Sequence, residues 1–225
     1  MSLQDRLDAF KANFESGGPP HNAPAAVHEP MRRATAELIA SGAARNALKV
    51  GDVAPVFELD DAQTSRLSST ALLAKGPLVV TFYRGLWCPY CNLDLEALQE
   101  NLGAIHERGA SLVAISPQLP ANSRAAIREK KLEFPILHDP GNEVAASFGL
   151  RFKLPDYLIA LYRDGFKLDL AVNNGDPSWT LPMPSRFVIQ PNGIIAYAEV
   201  NPDYTKRPDP SELLPLLKRL RQAAA

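Results

Sequence analysis

Two short runs of β-branched and aromatic residues, Leu78-Val-Val-Thr-Phe-Tyr83 and Ser111-Leu-Val-Ala-Ile-Ser116, are separated by a helical stretch from Pro89 to Arg108. The first, with its β-branched and aromatic residues, reads as a buried central strand, and the second as the next strand. Leu95, Leu98, Leu102 and Ile105 line one face of the stretch between them, and Gly109 follows its end. A second helix is expected over Ser123–Lys131 and a third strand over Phe134–His138, closed by the turn Asp139-Pro-Gly-Asn142. Arg186–Gln190 and Ile194–Val200 flank Pro191-Asn-Gly193, a hairpin signal because Asn-Gly accepts positive φ at both central positions. A last helix is expected from an N-cap at Ser211, with Leu213, Leu214, Leu217 and Leu220 on its apolar side. This order, β-α-β-α-β, hairpin, helix, implies an α/β fold: a central mixed β-sheet with helices on both faces. Phe152–Met183 is the least regular stretch and reads as an insertion over one end of the sheet.

Ahead of this pattern lies an N-terminal helical extension, residues 1–47, set apart from a main domain over 48–225. Leu3, Leu7, Phe10 and Phe14 share one helical face, too apolar to be left in water. Glu15-Ser-Gly-Gly-Pro-Pro20 interrupts it. A second helix is expected from about Glu29, with Pro30 near its start, to Ser41, carrying Met31, Thr35, Leu38 and Ile39. The extension is expected to pack on the main domain or on a second copy of the chain, a homodimer.

Composition narrows the function. With 24 Lys plus Arg against 25 Asp plus Glu, the chain lacks the basic excess of a nucleic-acid binder. No apolar run reaches the ~20 residues of a membrane span. Residues 1–14 mix charge with apolar side chains, unlike a signal peptide, so a cytoplasmic location is expected. The 2 cysteines are too few for a disulfide framework, yet they stand three positions apart, in Trp87-Cys-Pro-Tyr-Cys91 between a strand and a helix. A helix start offers free N–H groups and the positive end of a dipole, which favour a thiolate; thiol pKa values fall from ~8.5 to ~3.5–7.5 in such places. Arg84 adds positive charge. Two thiols so spaced can close a disulfide, one attacking and the other resolving. Zinc would need two more ligands, and His21, His28, His106 and His138 have no metal-ligand spacing. No metal or other cofactor is expected. Inert buried cysteines are the bland alternative. Arg84 reads equally as a surface loop charge, Trp87 more often as a packing residue or partner-docking surface than as a catalyst, and Asp203-Tyr204 as lining the site or capping the sheet.

Trp87-Cys-Pro-Tyr-Cys91 after an apolar strand resembles the thioredoxin superfamily. Gly51-Asp-Val-Ala-Pro-Val-Phe-Glu-Leu59 resembles the opening motif of peroxiredoxins of the alkyl hydroperoxide reductase and thiol-specific antioxidant type. Phe82–Cys91 together with Pro184–Gly193 is most similar to the bacterial peroxiredoxin-like branch carrying a two-cysteine motif. The resemblance runs from about Leu48 to the C-terminus and implies a thioredoxin-like fold with thiol redox activity. It places Cys91 at the peroxidatic position and Cys88 where the family has Thr. Pro184 stands where the family's Arg would be, with Arg186 shifted by two positions; Pro184 also resembles the thioredoxin cis-proline. Phe82 stands in place of thioredoxin's buried acid.

The leading expectation is a peroxiredoxin-like thiol peroxidase: hydroperoxide substrate, a Cys sulfenic acid, a Cys88–Cys91 disulfide, and a thioredoxin-type dithiol reductant. Helix position alone would instead make Cys88 the attacking and more solvent-near thiol. A thiol–disulfide oxidoreductase acting on protein disulfides, and a non-catalytic interaction module using the N-terminal helices, are the alternatives. Arg84, Trp87 and Pro184 are the expected supporting residues.

Overall fold

The computed structural model describes residues 1–19 and 22–223, so that His21 lies outside the described residues. The strands are β1 Glu58–Asp60, β2 Arg66–Ser68, β3 Leu78–Phe82, β4 Ser111–Ser116, β5 Ile136–His138, β6 Arg151–Lys153, β7 Thr180–Pro182, β8 Ser185–Ile189 and β9 Ile195–Val200. The helices are α1 Leu3–Glu15, α2 Ala25–Ser41, α3 Ser69–Leu73, α4 Pro89–His106, α5 Pro120–Lys130, α6 Glu143–Ser147, α7 Asp156–Ala160, α8 Leu170–Asn174 and α9 Leu214–Ala223. The central sheet runs β5-β4-β3-β8-β9. β3 and β4 pair in parallel, as do β4 and β5, whereas β8 is antiparallel to both β3 and β9. This is the expected mixed sheet, and every residue of its middle strand is buried.

Side chains alternate across a strand, so β3 feeds two separate cores. Val79 and Tyr83 face α4 and join Leu95, Leu98, Ile105 and Leu217. Leu78, Val80 and Phe82 face the other way, where Phe82 packs on Phe148 and Phe187 at 5.1 and 6.2 Å between ring centroids. The position of thioredoxin's buried acid is therefore a hydrocarbon contact here, on the face opposite α4.

Leu3 and Leu7 are buried in the same core as α4, and Phe10 and Phe14 are half-buried. The chain thus covers the Leu3–Leu7 part of the apolar face of α1 itself and leaves Phe10 and Phe14 only half covered. Ser2 caps α1 in a capping box with Asp5, and Arg6 reaches Glu96 and Glu100 of α4. α2 begins four residues earlier than expected, at Ala25, with Pro30 inside it. Its face is less committed than the periodicity suggests: His28 is buried, Met31, Thr35 and Leu38 are half-buried, and Ile39 is exposed.

Two end signals are decided by different residues from those expected. Asp209, not Ser211, caps the turn Pro210–Leu213 that leads into α9, in a capping box with Glu212. In the Pro191–Gly193 hairpin only Gly193 has positive φ, at 83°, because Pro191 locks a negative φ and its turn closes through Gly193 N–H to Gln190 O at 2.8 Å. The irregular stretch is ordered: β6, β7, α7, α8 and a π-helical turn over Leu161–Gly165 enclose a third core of Leu154, Leu158, Tyr162, Leu170 and Leu181. Met31 of α2 and Trp87 pack against it.

Candidate active site

β3 delivers the chain to the cysteines, and the six residues between Phe82 and Pro89 turn it into α4. Gly85 carries φ 146° in this turn, and a β-carbon there would meet Trp87 Nε1 at 2.5 Å; only glycine fits. Gln118, from the loop after β4, fastens the turn by accepting from Leu86 N–H at 2.8 Å while its amide donates to the Tyr83 hydroxyl at 2.8 Å. Asn92 ties the same turn to α4 by donating to Leu86 O at 2.8 Å.

Cys88 is the N-cap of α4 and Pro89 its first residue, a position where proline's missing N–H costs nothing. The Cys88 sulfur does not accept from the helix N–H groups. It turns inward, and both sulfurs are 0% exposed, which corrects the expectation of a more solvent-near Cys88. Reduced Cys91 donates to Cys88 across 2.9 Å, outside the ~2.05 Å of a disulfide bond.

Two buried guanidinium groups flank the pair. Arg84 Nη2 donates to Cys88 Sγ at 3.4 Å, and Arg207 Nη2 lies 3.9 Å from Cys91 Sγ. Arg84 is only 4% exposed, held between the Tyr204 ring at 4.0 Å and the Trp87 ring at 4.8 Å. Burial pushes the Cys88 thiol up, but the Cys91 hydrogen bond and the Arg84 charge overcome it and hold Cys88 well below the ordinary thiol range. Cys91 goes the other way: burial, the hydrogen bond it donates and the Cys88 charge all raise it. The Cys91 hydrogen bond and the nearer guanidinium, Arg84, both favour the thiolate on Cys88 over the thiolate on Cys91.

Arg207 is held in turn by Asp94, one helical turn beyond Cys91, at 3.5 Å from Arg207 Nε to Oδ2. The other Asp94 oxygen takes Arg186, which also donates to Pro208 O at 3.1 Å. Arg186 thus serves a buried ion network and does not reach the cysteines; the cations at the sulfurs are Arg84 and Arg207. Glu199 faces the same guanidinium groups, its carboxyl raised by burial against their pull.

Of the residues singled out from the sequence, Cys88, Cys91, Arg84 and Trp87 come together. Pro184 lies beside them, lining a narrow cavity of about 30 Å³ with Arg84, Tyr162 and Tyr204. Tyr204 lines the site, whereas Asp203 lies on the far side of that ring, in a cavity beside α1 and α2. Arg207 and Asp94 were missed. Asp94 could have been found, because a carboxylate on an otherwise apolar helix face requires a cation. Arg207 lies in an aperiodic, proline-rich segment that carries no such signal. Among the described residues no cluster of His, Cys, Asp or Glu is placed to hold a metal ion, and no helix is long and apolar enough to cross a membrane.

A model of the AhpC/TSA family matches residues 50–198. The chain belongs to that family. A Mycobacterium tuberculosis protein assigned to the peroxiredoxins is 31% identical over 123 residues, 54% of this chain and 79% of that protein. Peroxiredoxin Bcp of Escherichia coli K12 is 29% identical over 105 residues, 47% of this chain and 67% of its own length. Among solved structures, peroxidoxin BcpB from M. tuberculosis superposes with a TM-score of 0.60 at 20% identity, covering 79% of this chain and 99% of that one. Peroxiredoxin 6 of Arenicola marina gives 0.62 at 21%, covering 79% and 75%. At these identities the structures show the fold, which is the thioredoxin-like fold of peroxiredoxins. The AhpC/TSA chain described here is a peroxiredoxin-like thiol peroxidase with its two thiols in contact.

Proposed function

We propose that Cys88 is the attacking thiolate and Cys91 the resolving thiol, the reverse of the order implied by alignment with the Thr-x-x-Cys motif. The observation that carries this reading is the environment of Cys88 Sγ, which accepts from both Arg84 and Cys91. A thiolate so placed attacks the terminal oxygen of a hydroperoxide; the O–O bond breaks, and Cys88 becomes a sulfenic acid. The departing alkoxide takes the proton of the Cys91 thiol and leaves as an alcohol. Cys91, now a thiolate beside Arg207, attacks the Cys88 sulfur. The S–S bond forms and hydroxide leaves, taking up the proton that Cys88 released on ionising. One hydroperoxide yields one disulfide, one alcohol and one water. A thioredoxin-type dithiol returns the pair to thiols, and the need for such a reductant suits the cytoplasm. Both residues are 0% exposed, so the peroxide as well as the reductant reaches them only when the side chains over them move aside.

The discriminating experiment replaces each cysteine by serine in the full chain and follows pre-reduced protein with hydrogen peroxide by stopped flow. Cys91→Ser should keep the fast phase and accumulate sulfenic acid on Cys88; Cys88→Ser should lose it. The opposite pattern would restore the alignment's order. Placement of the low-pKa cysteine at the helix start also favours a second reading, thiol–disulfide exchange. In that case Cys91→Ser would trap protein targets as mixed disulfides on Cys88 and show no fast phase with peroxide.

A further inference from the structure

An unbroken series of aromatic contacts leads from the N-terminal extension to the sulfur. Phe14 packs on Phe10 at 6.2 Å, Phe10 on Tyr90 at 5.0 Å, and Tyr90 on Tyr204 at 5.4 Å. The Tyr204 ring carries the Arg84 guanidinium at 4.0 Å, and Arg84 donates to Cys88. Along this series lies a cavity of about 360 Å³. Phe10, Phe14 and Met31 supply the wall from α1 and α2, Tyr162 and Phe166 the wall from the insertion, and Arg84 lines the same cavity. The volume falls in the ~300–1,000 Å³ range of small-molecule sites. It is far larger than hydrogen peroxide requires, since a water-sized molecule takes roughly 30 Å³. The arm residues of this wall lie outside residues 50–198, the part of the chain that matches the family.

We propose that the N-terminal arm determines peroxide specificity: Phe10, Phe14 and Met31 complete an aromatic pocket over Arg84 that selects hydroperoxides with an aromatic body. This rests on the peroxidase reading of Cys88. The occupant follows from the two ends of the cavity. Ring faces and edges on both walls suit a flat apolar group, which gains offset or edge contacts from them. Arg84 offers a cation for the peroxide oxygens and for the alkoxide that develops as the O–O bond breaks. Hydrogen peroxide uses only the Arg84 end and leaves the walls unfilled. A small branched hydroperoxide fills part of one wall.

The test compares second-order rates of the pre-reduced full chain with cumene hydroperoxide, tert-butyl hydroperoxide and hydrogen peroxide. The rate should fall in that order, with cumene hydroperoxide at least about 10-fold ahead of hydrogen peroxide. Phe14→Ala and Met31→Ala should each lower the cumene-to-hydrogen-peroxide ratio by about 3- to 10-fold, the size of one or two aromatic contacts. A readout independent of chemistry is the binding of 2-phenyl-2-propanol, the unreactive product alcohol, followed by Trp87 fluorescence in a Trp179→Phe background; binding should weaken in both variants. Phe166→Ala, from the opposite and partly exposed wall, should act in the same direction and guards against an arm variant that simply fails to fold. Equal rates for all three peroxides, or ratios and alcohol binding unmoved by every one of these variants, would overturn the proposal and leave the peroxidase reading standing. A chain that consumes none of the three would overturn both.

Discussion

Replacing Arg84 by methionine removes the charge nearest Cys88 while keeping an unbranched side chain between the rings of Tyr204 and Trp87. At 3.4 Å and an effective dielectric constant of about 20, unit charges attract by about 5 kcal/mol. That figure is a ceiling, because the sulfur's charge is diffuse and Cys91 continues to donate to it. Half of it still corresponds to about two orders of magnitude in the acid dissociation constant of the Cys88 thiol, which moves its pH profile rather than its full ionisation in alkali. The direction is set by sign: a cation lowers a thiol's pKa, so losing it raises Cys88. The wild-type rate with peroxide or iodoacetamide should hold as pH falls until Cys88's depressed pKa is reached, and drop below it. In Arg84→Met the drop should begin at a higher pH, and alkaline solution should recover much of the lost rate. Stopped-flow traces of pre-reduced protein across pH, with urea unfolding as the control for folding, measure this. Arg84 is buried and its Nε has no hydrogen-bond partner, so the fold should tolerate the change. Superimposable pH profiles for the two proteins would refute the argument that Arg84 sets the nucleophile.

Asp94→Asn strands Arg186 and Arg207 in the interior, where breaking a buried ion pair costs about 3–5 kcal/mol; Glu199 nearby should hold the loss at the lower end, read from urea unfolding. Gly85→Ala forces a side chain into the space of the Trp87 indole at a φ that disfavours it, so the tryptophan fluorescence, to which Trp87 and Trp179 both contribute, should shift and the peroxide rate should fall. Leu7→Ala empties a fully buried site between α1 and α4. Losses for such truncations are about 2–5 kcal/mol, and limited proteolysis should cut the arm first if α1 is what seals it.

The strands, the long helix and the cysteine pair at its start were legible because they rest on local rules. Uninterrupted β-branched runs have few alternatives to a central strand, as the fully buried Leu78–Phe82 illustrates. Pro89 after Cys88 marks a helix start by its fixed φ alone. Helix starts were less legible: α2 runs through Pro30, and Asp209 displaces Ser211 as a cap. Which cap wins depends on the N–H groups the folded chain brings within reach. The chemistry of the pair depended still more on tertiary structure. The spacing of Cys88 and Cys91 establishes that they can meet, but their inequality comes from Arg84 closing on one sulfur while Arg207 arrives beside the other from a segment 116 residues away. The first helix was visible from its periodic apolar face. That its half-buried outer residues wall a cavity over the site, while Leu3 and Leu7 anchor it to α4, follows only from packing. Local sequence sets backbone preference within a turn or two; charge placement around a buried sulfur is set by which distant segments the shared core draws together.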